Sequence, residues 1–323
     1  MVNMKDVAKE AGVGLGTVSR VINKNGPVKP STRLKVEKAI ETLNYKTNEV
    51  ARNFKMQQTC SVALIVPTIW HPFFSKFAYH VETTLSENGY KMILCNSQSD
   101  VTNEINYIEM LEKNKIDGLI VITYSRDLDQ YITSNLPIVS IDRHFTENVV
   151  YVTSDNEKGG RIAASELIKR NCKKIAYLGS VSDIKNESMK RRQGFEDEAK
   201  RQKISYHVLE LNEPVDDIRK NVIQFLDEHA DVDGIFAMND KWAKIVMKTL
   251  QEKKLLIPDD VQVIGYDGIT ASKEEELTFS TIKQPVQMMA KKATEALINI
   301  INEQPTEDKL VLPVEFYEGT STK

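Results

Sequence analysis

Five polar residues stand in or at the ends of short patterned runs: Asp142 after PIVSI, Asn239 and Asp240 after GIFAM, Asp267 closing VQVIGYD, and Arg191 within RRQGF. Carboxylate, amide and guanidinium groups gathered in one place can grip the vicinal hydroxyls of a flat polar ring bidentately, given an apolar face for the ring to stack on. Such a group would bind a sugar-like molecule. Thr68 and Phe73, in the loop after the run VALIV, complete a candidate set of seven. Each strand-end Asp could instead cap a helix or tie down a loop, Asp142 and Asp240 most readily. Trp70 and Trp242 offer rings for stacking, although Trp242 equally suits a core position one turn into a helix and Trp70 a surface loop.

Catalytic chemistry finds no support in the same residues. The five histidines, His71, His80, His144, His207 and His229, have no metal-ligand spacing and read as ordinary residues. Neither a phosphate-cradling P-loop nor a GxSxG elbow occurs, GLGTV is too short and too early for a dinucleotide fingerprint, and Asp216 with Asp217 fits a solvated helix start. No catalytic residue, metal or cofactor is expected. Cys60, Cys95 and Cys172 form neither an even disulfide set nor a metal spacing, which suits a reducing compartment.

The elements that would position the candidate set follow from hydropathy. VALIV, MILC, GLIVI, PIVSI, KIAYL, GIFAM and VQVIGYD are uninterrupted apolar runs alternating with helical stretches at 73–88, 158–170 and 240–253. That alternation predicts parallel strands buried on both faces, a doubly wound α/β architecture. About ten such units exceed one sheet, so two lobes are expected, with a cleft at the carboxyl ends of the strands.

The first sixty residues read differently. Residues 1–58 carry 11 Lys and Arg against 5 Asp and Glu, a net +6 in a chain whose total is −3, so one basic end is set to meet a polyanion unless it is simply a solvated helical face. Met4, Val7, Ala8 and Ala11 keep helical spacing between Asn3 as cap and Gly12 as stop. A second helix from about Leu15 to Asn23 buries Val18, Val21 and Ile22 and turns Gly16, Thr17 and Arg20 outward; a third, with Val36, Ala39, Ile40 and Leu43, starts after Ser31 as cap. This spacing suits a helix-turn-helix whose second helix enters a major groove, and equally a plain three-helix bundle with an exposed Arg20. Asn48 can cap a further helix, Glu49 to about Lys55, too poor in apolar surface to stand alone. Phe54 there could wedge between base steps or pack on a neighbouring domain.

MKDVAKEAGVGLGTVSRVIN, VKPSTRLKVEKAIETLNY and NEVARNFK resemble the DNA-binding head and hinge helix of the lactose/galactose repressor (LacI/GalR) family, and HPFF, DGLIVI, IDR, DNEKGG, RRQGF, MND and GYDG extend the likeness over nearly the whole chain. The resemblance implies a three-helix helix-turn-helix head at 1–47, a hinge helix and linker at 48–58, and a two-lobed periplasmic-binding-protein-like core at 59–323. The N-lobe would span about 60–158 and part of 286–323, the C-lobe about 159–284. By position it implies that Leu15, Gly16 and Arg20 face bases, that Thr17 and Ser19 lie near the backbone, and that Phe54 inserts into the central step. Asn23, Asn48, Ala51, Arg52 and Lys55 join the DNA-binding set, while Arg191, Asn239 and Asp267 match effector-contacting positions.

Departures from the family pattern have physical consequences. Gly14 replaces a usual Ser or Thr cap, weakening the recognition helix by roughly 0.2 to 0.5 kcal/mol. Gly16 removes a base-reading side chain and costs about 1 kcal/mol relative to Ala. Thr47 stands for a usual proline, Phe54 for a smaller Leu, and LELNEP lacks the aromatic residue that relatives often place there. The expectation is a cytoplasmic homodimeric transcription regulator without a membrane segment. It would repress carbohydrate-utilisation genes at a pseudo-palindromic operator under control of a sugar or sugar phosphate. The segment after Glu318 is too short for a tetramer-building heptad helix. A solute-binding protein with a vestigial head, a ligand-blind DNA bender, and a regulator answering a purine or a phosphoprotein corepressor are the competing readings.

Overall fold

The computed structural model describes residues 2–23, 25–45, 58–113, 115–132, 136–145, 149–270, 272 and 274–323. Thr47, the expected hinge helix and its Asn48, Ala51, Arg52, Phe54 and Lys55 lie outside the described residues. The chain divides into two compact units, 1–59 and 60–323.

In the first unit, α1 (Met4–Ala11) opens with a capping box: the Asn3 side chain accepts from the Lys5 and Asp6 N–H groups, and Asp6 accepts from the Asn3 N–H in return. Gly12 closes it at φ 64, where a Cβ would be strained. Helix α2 (Leu15–Ile22) starts at Gly14 with no side-chain cap. The third helix, α3, spans Pro30–Thr42 rather than beginning after Ser31. Pro30 sits at the first helical position, where its fixed φ suits the helix and its missing N–H is not needed, so Ser31 falls inside the first turn. Val7, Ala8, Ala11, Val18, Val21, Val36 and Ala39 form one small core with Ile22, Ile40 and Leu43 half-buried around it.

The second unit holds two six-stranded sheets. Its elements in order are β1 (Ser61–Val66), α4 (Pro72–Glu87), β2 (Lys91–Asn96), α5 (Val101–Glu112), β3 (Gly118–Val121), β4 (Ile138–Ile141), β5 (Val150–Ser154), α6 (Asn156–Lys169), β6 (Lys174–Val181), α7 (Lys190–Gln202), β7 (Ser205–Asn212), α8 (Ile218–Glu228), β8 (Gly234–Ala237), α9 (Asp240–Glu252), β9 (Gln262–Asp267), β10 (Thr281–Lys283), α10 (Val286–Ile301), β11 (Lys309–Leu312) and β12 (Glu315–Tyr317). The first sheet runs β11-β5-β4-β3-β1-β2 and the second β12-β10-β9-β8-β6-β7. Every pairing is parallel except β10 with β12.

The central strands β1, β3, β4, β8 and β9 are buried almost throughout, as uninterrupted apolar runs require. MILC behaves otherwise. It lies in β2, an edge strand with only one neighbour, and leaves Ile93 and Leu94 exposed. The chain passes between lobes three times, at 154–156, 283–286 and 312–315. Ser154 and Gln284, at two of these crossings, are joined by a 2.8 Å hydrogen bond.

Candidate functional site

A cavity of about 180 Å³ opens at the carboxyl ends of strands from both sheets. The first sheet contributes Tyr124 beyond β3 and Asp142 after β4, with His71, Phe73 and Phe74 at the start of α4. From the second come Ser180 and Ser182 at β6, Arg191 on α7, Glu213 after β7, Met238 and Asn239 after β8, Asp267 closing β9 and Gln284 after β10. A wider mouth of about 620 Å³ shares His71, Tyr124, Ser180, Ser182, Glu213 and Asn239 and adds Asp183, Lys241 and Trp242. Across the cleft the Glu187 N–H donates to the Asp142 carbonyl at 2.8 Å.

Arg191 is the electrostatic centre. Its guanidinium carbon lies 3.7 Å from the centre of the Tyr266 ring. Nε donates to Asn156 Oδ1 and Nη1 to the Met238 carbonyl, both at 2.8 Å, and Nη1 stands 3.9 Å from Asp267 Oδ1. Asp267 also accepts from Gln284 Nε2 at 2.8 Å. Burial raises the Asp267 pKa, opposed by Arg191. Asp142 accepts from the Thr153 hydroxyl at 2.5 Å, and burial pushes its carboxyl up to about 6 against that bond. Both acids hold positive φ: 56 for Asp142, in the left-handed region that Asp enters more readily than most side chains, and 117 for Asp267, a sparsely populated backbone. Asn239 lines the cavity while its Oδ1 accepts from the Trp242 N–H and so caps α9.

Two of the seven expected residues stand apart from the cavity wall. Asp240 is buried behind it, its Oδ2 accepting from the Gly268 and Ile269 N–H groups and its Oδ1 from Thr281, because an acid at the first position of α9 faces the adjoining strand ends. The Thr68 hydroxyl accepts from the Trp70 N–H at 3.1 Å and closes its own turn. Trp70 is 91% exposed, whereas Trp242 is buried in the C-lobe core and borders only the mouth.

His71, Tyr124, Glu213 and Gln284 belong to the wall and were not singled out by sequence. His71 caps α4, its Nδ1 accepting from the Phe73 N–H at 3.3 Å, and burial lowers its pKa, so its ring is neutral at pH 7. His-Pro at a helix start was the available signal. The aromatic face missing from LELNEP is supplied from the opposite lobe by Phe73, Phe74 and Tyr124, while that stretch contributes Glu213.

In the first unit Leu15, Gly16, Arg20 and Asn23 are exposed and Thr17 and Ser19 half-buried. The Ser19 hydroxyl accepts from Asn23 Nδ2 at 3.2 Å, locking the last turn of α2. This helix face, free of other side-chain ties among the described residues, can reach into a groove. Among the described residues no group of three or more His, Cys, Asp or Glu could hold a metal ion, and no helix is long and apolar enough to cross a membrane.

Residues 3–48 match the family model for bacterial regulatory proteins of the lacI family, and residues 59–320 match that for periplasmic binding proteins and the sugar binding domain of the LacI family. The chain is 35% identical over 319 residues to the sucrose operon repressor of Streptococcus mutans, covering 98% of each. To the ribose operon repressor of Halalkalibacterium halodurans it is 32% identical over 324 residues, covering 100% of this chain and 98% of that one. Among solved structures it is similar to the transcriptional regulator CelR in complex with cellobiose, with a TM-score of 0.72 and 29% identity over 99% of this chain and 100% of that one. Matched in its head and its core, and along nearly the full length of its relatives, the chain belongs to the lacI family of bacterial regulatory proteins.

Proposed function

We propose that the protein is a homodimeric, sequence-specific repressor of carbohydrate-utilisation genes, whose grip on operator DNA is set by a sugar or sugar phosphate bound between the two lobes. One observation carries the reading: Phe73, Asp142, Arg191, Asn239 and Asp267 converge on a single cavity walled by both lobes, in a chain whose basic head exposes one face of a short second helix. Leu15, Gly16 and Arg20 would meet base edges, Thr17, Ser19 and Asn23 the adjoining backbone, and Asn48, Ala51, Arg52, Phe54 and Lys55 the central step and its flanks. Two identical heads would read two half-sites related by the dimer axis.

A ligand controls such a protein only through differential affinity for two lobe arrangements, typically about 1 to 3 kcal/mol. The ligand touches residues of both lobes, so a change of lobe angle alters its contacts. The test selects DNA from a random pool with the full-length protein and measures affinity at ~0.15 M salt with and without sugars. Selected DNA should bind at least about a thousandfold more tightly than random DNA, and one sugar should change that affinity about fivefold or more. Equal affinity for selected and random DNA would refute the repressor, and an operator affinity blind to every ligand would refute the control.

A further inference from the structure

We infer that the cleft takes an uncharged polyol and refuses its phosphate ester. This rests on the carbohydrate reading above and narrows it.

The charged groups of the inner cavity are Asp142, Glu213 and Asp267 against Arg191 alone. The mouth adds one of each sign, Asp183 and Lys241. His71 brings no positive charge, since burial holds its pKa down, and burial keeps the Tyr124 phenol protonated. Even with one proton shared between the neighbouring Asp240 and Asp267 carboxyls, Asp142, Glu213 and Asp183 outnumber Arg191 and Lys241. A phosphate ester carrying nearly two negative charges would enter a site already negative.

The arginine is also committed elsewhere. Its Nε is occupied by Asn156 Oδ1, which closes the side-on fork that arginine uses for bidentate phosphate contacts, and Nη1 is partly spent on the Met238 carbonyl. Its face lies on Tyr266. Three helix starts border the cavity and offer little in its place: in the turn entering α7 the Glu187 N–H goes to the Asp142 carbonyl, the Ser188 N–H to Asn186 Oδ1 and the Lys190 N–H to the Glu187 carbonyl. Pro72 at the head of α4 has no N–H and the Phe73 N–H goes to His71; at α9 Asn239 takes the Trp242 N–H and the buried Asp240 carboxylate sits in the first turn.

Hydrogen-bond chemistry agrees with the charge. Ionised carboxylates only accept, and one oxygen of Asp142 and one of Asp267 is already taken by Thr153 and Gln284. Among the described residues the second oxygen of each makes no hydrogen bond, so both call for donors. Sugar hydroxyls donate; a phosphate at neutral pH is almost entirely an acceptor.

The test is calorimetric titration of the full chain at pH 7.2 with ribose, fructose, glucose and sucrose, each beside its phosphate ester. Potassium phosphate at matched ionic strength is the ligand-independent probe. A sugar that binds should do so at least tenfold more tightly than its ester, and inorganic phosphate should give no saturable heat. Glu213→Gln, at an exposed position where the amide oxygen can still accept from the Ser180 hydroxyl, should narrow the sugar-to-ester ratio severalfold. An ester binding as tightly as its sugar overturns the inference, as does saturable phosphate binding that Arg191→Gln abolishes. Failure of every sugar and every ester to bind would sink the carbohydrate reading and the polyol claim with it, while the inorganic phosphate titration still decides whether the cleft repels anions.

Discussion

Replacing Gly160 by Ala tests how the core holds its arginine. Helices α6 and α7 cross so closely that a Cβ on Gly160 would stand 1.9 Å from the Arg191 carbonyl oxygen and 2.9 Å from the Phe195 nitrogen; one on Gly194 would meet the Glu157 oxygen at 1.9 Å. All of these are backbone atoms, so no flexible side chain can yield. A comfortable carbon–oxygen contact is roughly 3.3 Å, so the helices must part by about 1.4 Å. Helix propensity alone would reward Gly→Ala by about 1 kcal/mol, whereas overpacking typically costs about 1 to 3 kcal/mol. With backbone on both sides the upper end applies, a net loss on the order of 2 kcal/mol or about 4 to 8 °C in melting temperature for a unit of this size. The same displacement carries Arg191 away from Asn156 and the Met238 carbonyl. Loss of a hydrogen bond to a charged group is worth about 1.5 to 3 kcal/mol, so ligand affinity should fall by about tenfold or more. Thermal melts and ligand titration of Gly160→Ala read both effects. A melting temperature that stays level or rises, with affinity intact, would refute the claim that this crossing positions the arginine.

Gly16→Ala is the opposite case: nothing stands within 4 Å of the added carbon, so α2 should gain up to about 1 kcal/mol, visible as a raised head transition in calorimetry. Asp240→Asn leaves the Gly268, Ile269 and Thr281 donors short of acceptors and should destabilise the core by about 1 to 3 kcal/mol in denaturant melts, with ligand affinity far less affected than by Asp267→Asn. Asp142 predicts a pH dependence. Its folded pKa, about 6, lies above the ordinary 3.8, so the folded state holds the extra proton between these values and its contribution to stability falls as pH rises through that window. A ligand hydroxyl donating to the ionised carboxylate lowers that pKa, so binding should release protons and tighten from pH 5 to pH 7. Titrations showing affinity flat or falling over that range would exclude Asp142 as an acceptor for the ligand.

Local signals made part of this molecule legible and long-range assembly hid the rest. Asn3 and Gly12 mark the ends of α1 because capping is a matter of neighbouring residues, and the runs around β1, β3 and β9 declare buried parallel strands by their unbroken hydropathy. The same hydropathy misleads at β2, where Ile93 and Leu94 are apolar but at a sheet edge, since composition does not encode strand order. Pro30 outweighs Ser31 as a helix start because a fixed φ competes with a side-chain cap. Asp142, Arg191, Asn239 and Asp267 were recoverable as polar residues at or beyond strand ends or in a matched motif. Tyr124 was not, since nothing in VITYS tells a wall residue from a loop tyrosine until the opposite lobe is in place. His71 has no metal-ligand spacing to mark it, because its use is as a helix cap beside the cavity.

The three passages of chain between the lobes bear on how the molecule is made. The first sheet needs β11 and the second β12, so neither lobe can be completed during synthesis until residues 309–317 have left the ribosome. The small helical head is contiguous and closes over residues 3–45. Domains emerging first fold first. A nascent chain would therefore display a finished reader long before it has a compartment to receive a signal, and stalled or truncated products would present that reader without its control.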